Sequence, residues 1–150
     1  MGTSIKLGND TYLDSSGVVI DSLGSLLSSV GNMTEFNSSG SISVPSSSTD
    51  LTLITSYTIP KGAYIVETFI RFSSNSSGVR YLTVSFNEGA EGTAARSHYV
   101  NPVSGNNTSV KDVTTVNVTN NAGSTVYIYA RQSSGSTLSV IARCKITRIG

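Results

Sequence analysis

From Leu51 onward, the sequence is a succession of short runs rich in β-branched and aromatic residues, each followed by turn residues. Runs bounded by Gly, Pro, Asn and Ser are typical of β-strands joined by tight turns. The predicted strands are 51–58, 63–72, 79–86, 110–118, 124–132 and 137–148. Strands at this spacing predict an all-β domain built as an antiparallel sandwich or jelly roll.

Several of these runs carry large apolar side chains on both faces. Side chains alternate across a strand, so each run divides into two faces. The face opposite the main apolar face carries these large residues: Ile65, Phe69, Tyr81, Tyr127 and Tyr129. A sandwich buries only one face of each sheet, and burying each such side chain contributes about 1.5–3 kcal/mol. We therefore expect a cyclic homo-oligomer with these residues at its interface. The alternative is that helices of the same chain cover this second apolar face.

The first segment, residues 1–31, combines short β-type stretches with one helical stretch. Leu23, Leu26 and Leu27 recur at helical spacing and form one apolar face over 21–30. Two helical turns are not stable alone, so this face must pack on something. It packs either on the axis of an oligomer or against its own domain. We predict that this segment serves attachment and oligomerisation.

Residues 32–50 are rich in Ser and Gly and predict a linker or an irregular edge, which leaves 51–150 as the jelly-roll domain.

Composition and charge exclude several partners. Ten Lys and Arg face nine Asp and Glu without a basic block, so nucleic acid is not an expected partner. No stretch is apolar enough to insert in a membrane, and the sequence begins without signal-peptide features. We expect synthesis in the cytoplasm.

Few residues suggest chemistry. His98 is the only histidine, and the sequence around it contains neither a nucleophile elbow nor an acid, so we expect a loop or interface histidine. Three copies of it on an axis would be able to bind a metal or sense pH. Glu88 and Glu91 lie among glycines and predict a solvated tip, rather than a glycosidase pair or a calcium loop. Cys144 falls on an apolar strand face and predicts a buried thiol.

We predict no cofactor, no metal and no enzymatic activity. The segment 87–109 is predicted to be a loop that presents polar and aromatic side chains to a ligand. Its candidate ligand residues are Asn87, Glu88, Glu91, Arg96, His98 and Tyr99.

The sequence also resembles a known family. Ile59-Pro60-Lys61-Gly62-Ala63-Tyr64-Ile65-Val66, then Phe69-Ile70-Arg71-Phe72 and Arg80-Tyr81-Leu82-Thr83-Val84, resemble strands of trimeric jelly rolls of the complement-globular-head and tumour-necrosis-factor-like type. The stretches 123–138 and 144–149 are similar to the last two strands of such domains in phage tail and head fibre proteins. The resemblance covers residues 50–150. It implies a TNF-like jelly-roll head, with Tyr127 and Tyr129 lining a three-fold axis.

The resemblance implies a structural protein of a bacteriophage virion, made in the host cytoplasm. The segment 9–17 resembles the openings of phage structural proteins, which implies contact with other virion proteins through the N-terminal segment. The expected function is that of a homotrimeric fibre or spike head that attaches to a host-surface glycan or protein. The alternative is a purely architectural capsid-decoration, head-fibre or collar protein without receptor binding.

Overall fold

The computed structural model of the chain describes residues 5–7, 10–13, 31–38, 40–47, 49–86 and 96–150. In chain order, the strands are β1 (Ile5–Leu7), β2 (Asp10–Leu13), β3 (Met33–Asn37), β4 (Ile42–Val44), β5 (Thr52–Ile59), β6 (Gly62–Phe72), β7 (Arg80–Ser85), β8 (Arg96–Val100), β9 (Thr108–Val118), β10 (Ser124–Gln132) and β11 (Leu138–Arg148). The described residues contain no helix, and so none that would span a membrane. The helical stretch predicted over 21–30 lies outside them.

The strands form antiparallel sheets. β1 and β2 pair as a two-stranded sheet. We call the sheet with the order β5-β10-β7-β8 the tyrosine sheet. We call the sheet with the order β3-β11-β6-β9, in which β4 also pairs with β11, the charged sheet. The prediction of an all-β fold with two antiparallel sheets is confirmed.

All six predicted strands are present, with ends displaced by at most two residues. Three further strands lie outside the six that the sequence predicts. β3 and β4 lie in the segment predicted as a linker or irregular edge, and both pair with β11. β8 lies in the segment 87–109, which was predicted to be a loop. That loop prediction is wrong for 96–100, because these residues pair with β7.

The core lies between the two sheets. In β6, β9 and β11, buried residues alternate with more exposed ones along almost the whole strand, so one face of the charged sheet points inward. It packs against inward side chains of β7 and β10. The buried core is Val44, Ile54, Ile59, Tyr64, Val66, Ile70, Phe72, Leu82, Val84, Val110, Val118, Val126, Ile128, Ala130, Leu138, Val140, Ala142, Cys144 and Ile146. At one side of the sandwich, the rings of Phe36 and Tyr57 stack with centroids 4.9 Å apart and join β3 to β5.

A buried glutamine organises one end of the sandwich. The Gln132 side chain is fully buried, and its Nε2 donates to the backbone oxygens of Val44 at 3.1 Å and Ser136 at 2.7 Å. Its Oε1 accepts from the backbone N–H of Ser134 at 2.7 Å. This amide therefore joins β4 to the turn that follows β10.

A buried arginine closes the neighbouring loop. Arg80 is fully buried, and its guanidinium donates to the backbone oxygens of Ser77 at 2.8 Å and Asn75 at 3.0 Å. Burial lowers the pKa of Arg80 from its ordinary value. The loop then approaches the turn after β10 so closely that Gly78, at a φ of 73°, leaves no room for a Cβ beside Ser133.

We expect Gln132→Leu to lower the free energy of unfolding by about 2–4 kcal/mol, because it removes the partners of buried backbone groups in a cavity of unchanged size. Asn117→Leu is the matched control, since Asn117 is exposed on β9. It is expected to cost less than about 1 kcal/mol. Urea denaturation measures both. Equal losses in the two variants would contradict the anchoring role of Gln132.

Candidate functional site

The residues predicted for the oligomer interface lie on two opposite surfaces. Ile65 and Phe69 point outward from the charged sheet, on the face opposite the buried residues of β6. Tyr81, Tyr127 and Tyr129 point outward from the tyrosine sheet. The structure therefore does not bring the five together in one patch. Leu23, Leu26 and Leu27 lie outside the described residues.

The outward face of the tyrosine sheet is aromatic. The rings of Tyr127 and Tyr129 stack with centroids 6.3 Å apart, and those of Tyr81 and Tyr99 are 5.8 Å apart. The guanidinium carbon of Arg131 lies 4.2 Å from the centroid of the Tyr81 ring. On the strands of this sheet, the register places no charged side chain other than Arg131 on this face.

Exposure on this face is uneven. Tyr129 is only 5% exposed in the single chain, so the expectation that it leaves a large ring in water is wrong. Thr83, between Tyr129 and Ser97 in the register, is also buried, and its hydroxyl lies 2.8 Å from that of Ser97. Leu53 and Tyr99 are 45% and 68% exposed. The exposed apolar surface of this face therefore lies mainly on Leu53 and Tyr99, on either side of the buried Tyr129 and Thr83.

The outward face of the charged sheet carries ion pairs. The carboxylate of Glu67 lies 3.7 Å from the ammonium nitrogens of both Lys111 and Lys145. Arg143 lies 3.3 Å from the carboxylate of Glu35. These pairs are solvated and contribute little to stability, generally below about 1 kcal/mol each. They do give this face a chemistry that differs from that of the tyrosine sheet.

His98 joins the two sheets at the side formed by β8 and β9. Its Nε2 lies 2.8 Å from Oδ1 of Asp112, whose side chain is 2% exposed. Arg96 places Nε 3.9 Å from the same oxygen and donates from Nη1 to the Thr114 hydroxyl at 3.2 Å. His98 therefore lies on a strand and not in a loop, and the acid that the sequence around it lacks comes from β9.

A histidine and a carboxylate are two members of a catalytic triad, but a triad also needs a nucleophile at the histidine. No hydroxyl or thiol of a described residue bonds to His98. The described residues also hold no group of three or more His, Cys, Asp or Glu side chains placed to bind a metal. We call the pair of His98 and Asp112, which joins β8 to β9, the clamp between the sheets.

The remaining candidate ligand residues are dispersed. Arg96 and Tyr99 lie in β8 and point to opposite faces of it, with Arg96 toward β9 and Tyr99 outward. Asn87, Glu88 and Glu91 lie outside the described residues. The inward position of Asp112 was visible in the alternation of 108–118, but its partner was not, since pairing across sheets leaves no local pattern.

Cys144 lies in the core, as predicted, and is fully buried. Burial raises the pKa of its thiol to about 11, partly offset by the hydroxyl of Thr68, which is 3.8 Å from the sulfur. The thiol is therefore neutral at ordinary pH.

We expect His98→Ala to lower the free energy of unfolding by about 1–3 kcal/mol, because it leaves a buried carboxylate without its closest partner. His98→Gln keeps a donor and is expected to recover part of the loss. Thr115→Ala, exposed on β9, is the control. Guanidinium denaturation measures all three. A loss in His98→Ala no larger than in the control would show that the clamp carries no stability.

We expect Cys144 to resist thiol reagents in the folded chain. With a pKa of about 11, only about one thiol in a thousand is ionised at pH 8, and the thiolate is the reactive form. Ellman's reagent at pH 8 is expected to label no thiol in the native protein and one per chain in guanidinium. Rapid stoichiometric labelling of the native chain would contradict the burial of Cys144.

Comparisons with known proteins identify no family. No protein-family model matches the sequence, and no curated protein matches it. Among solved structures, the chain is similar to one described as Bacillus endospore appendages that form a novel family of disulfide-linked pili. The identity is 14% and the TM-score 0.41, over 79% of this chain and 89% of that chain.

Proposed function

We propose that the chain is the homotrimeric head of a bacteriophage fibre or spike, which attaches the particle to a host-surface glycan or protein and catalyses no reaction. One observation carries the proposal: the two outward faces of a single sandwich differ in chemistry. The face of the tyrosine sheet is aromatic with one charged side chain on its strands, whereas that of the charged sheet holds several ion pairs. The first suits assembly and the second suits contact with an external ligand.

The strand pairing supports a jelly roll. A jelly roll of eight strands pairs the first with the last and continues inward until the two middle strands meet. With β3 and β4 together as the first strand, the observed pairs are β3 and β4 with β11, β5 with β10, β6 with β9, and β7 with β8. Such double-sheet folds are frequent in viral capsid and lectin domains. This favours the TNF-like assignment within the sandwich class.

Assembly through the tyrosine sheet has the lower desolvation cost. Burying the charged sheet would remove the side chains of Glu67, Lys111, Arg143 and their partners from water, which costs several kcal/mol per ion without ideal pairing. Burying Leu53 and Tyr99 removes apolar surface instead. The proposal therefore assigns Tyr81 and Tyr127 to the trimer interface. It assigns Ile65 and Phe69, predicted for that interface from sequence, to the contact side.

Residues 1–31 would bind other virion proteins, so that the head points away from the particle. A purely architectural protein would form the same trimer without binding cells. Adsorption of the fluorescently labelled chain to a panel of bacterial strains, in competition with phage particles, separates the two. Adsorption that particles compete for supports attachment, and a trimer that adsorbs to no strain and is found in virions would favour the architectural role.

We expect the chain to sediment at three times its mass of 15.7 kDa, and Leu53→Glu to dissociate it, because the substitution places a charge in the apolar contact. Val113→Glu is the matched control: Val113 is 50% exposed on the charged sheet, against 45% for Leu53. Analytical ultracentrifugation at micromolar concentration measures all three proteins.

The control is expected to remain trimeric. A wild-type chain that sediments as a monomer would overturn the trimer itself. Dissociation by Val113→Glu but not by Leu53→Glu would place the interface on the opposite sheet.

A further inference from the structure

Three shallow depressions follow one another along the outward face of the charged sheet. Their volumes are about 340, 430 and 140 Å³. The first and second share Phe69 and Arg143, and the second and third share Arg71 and Ile141. The shared walls make them one continuous groove. From Lys145 to Ser139 along β11, it spans about 20 Å at the usual rise of a strand.

The middle of the groove alternates apolar and cationic side chains. Phe69 of β6 stands opposite Arg143 of β11, and Arg71 stands opposite Ile141. The two arginines are therefore diagonal neighbours, about 7–8 Å apart at the backbone. Between them lies an apolar floor formed by the other diagonal, Phe69 and Ile141. An occupant of this part meets a ring and two guanidiniums together.

The groove has an excess of positive charge. Glu67 is shared between two lysines, and Glu35 pairs with Arg143. Arg71 is exposed and makes no ion pair with any residue that the structure describes. With Lys111 and Lys145, the strip therefore holds four cationic side chains against two carboxylates. Its charge complements an anion, and the cations are spread along the strip rather than gathered at one point.

We propose that this groove binds an extended acidic polysaccharide, with sugar carboxylates on Arg71 and Arg143 and a pyranose ring on Phe69. The inference rests on the proposed attachment function and names its ligand class and its surface. Arginine pairs with a carboxylate through two parallel hydrogen bonds. The distance between Arg71 and Arg143 therefore sets the spacing of the acidic groups. The C–H face of a sugar ring is apolar and removes part of the Phe69 ring from water. Hydroxyl groups of the polysaccharide would reach the polar rim of the groove at Asn37 and Ser38.

A nucleic acid fits this groove less well. Affinity for a phosphate backbone requires many neutralised phosphates in succession, and three of the four cations here already pair with Glu67 or Glu35. The whole chain has a formal net charge of only +1. A second protein copy is also disfavoured, since it would have to desolvate the ion pairs.

Binding of oligogalacturonate and hyaluronate oligosaccharides to the wild-type chain, with dextran oligosaccharides as the neutral probe, tests the proposal by isothermal titration calorimetry. We expect binding of at least one acidic probe and none of dextran. Arg71→Ala and Phe69→Ala are each expected to weaken binding roughly tenfold, through the lost charge pair and the lost ring contact. Lys61→Ala is the matched charge control, because Lys61 lies on the turn between β5 and β6 outside the groove. It is expected to leave the affinity unchanged.

Thermal unfolding of each variant verifies that it is folded. No binding of either acidic probe, or binding that survives both Arg71→Ala and Phe69→Ala, would overturn the groove. Equal affinity for a single-stranded DNA of similar charge would also overturn it, because charge alone would then explain binding. If both variants still adsorb to cells, the groove is not the binding site, but the attachment function stands. If the wild-type chain adsorbs to no cells, the attachment function itself is overturned.

Discussion

The packing of the inward faces of two sheets is the interaction on which the other features depend. In β6, β9 and β11, side chains alternate so regularly that nearly every second residue is buried. Because the period of a strand is two residues, a shift of one residue would turn the whole core outward. The register of the charged sheet is therefore strongly determined. Its outward residues are placed as a consequence, which is how Phe69 comes to stand opposite Arg143.

The two long sides of the sandwich are held by different chemistry. On one side, Phe36 and Tyr57 stack between β3 and β5. On the other, His98 contacts Asp112 between β8 and β9. An edge strand offers unpaired backbone groups, and side-chain bonds across it keep the edge attached to its own domain. An aromatic stack thus joins the sheets at one edge and a polar contact joins them at the other.

The alternation of apolar and polar residues predicted most strands. It missed strands that have little such alternation and are defined by pairing with a neighbouring strand. The alternation in 138–148 is strong, and β11 begins and ends near the predicted limits. By contrast, 33–37 and 96–100 are mostly polar and exposed, so no alternation of burial was legible before their partners β11 and β7 were known. The same limit explains the clamp: the chain separates His98 from Asp112, and only the packing of one sheet on the other joins them.

The alternation of residues along a strand predicts which face a side chain occupies, but not which sheet the strand belongs to. Sequence alternation placed Ile65, Phe69 and Tyr127 on second faces, and each is partly exposed in the fold. It did not say that β6 and β10 belong to different sheets, so it did not show that these residues lie on two opposite surfaces of the sandwich. Neighbours then decide what each residue does. Phe69 stands between Arg143 and Lys111, whereas Tyr127 stands beside Ser56 and Ser85. The cations beside Phe69 complement an anion, whereas the small uncharged neighbours of Tyr127 would lose little hydration if that ring were covered.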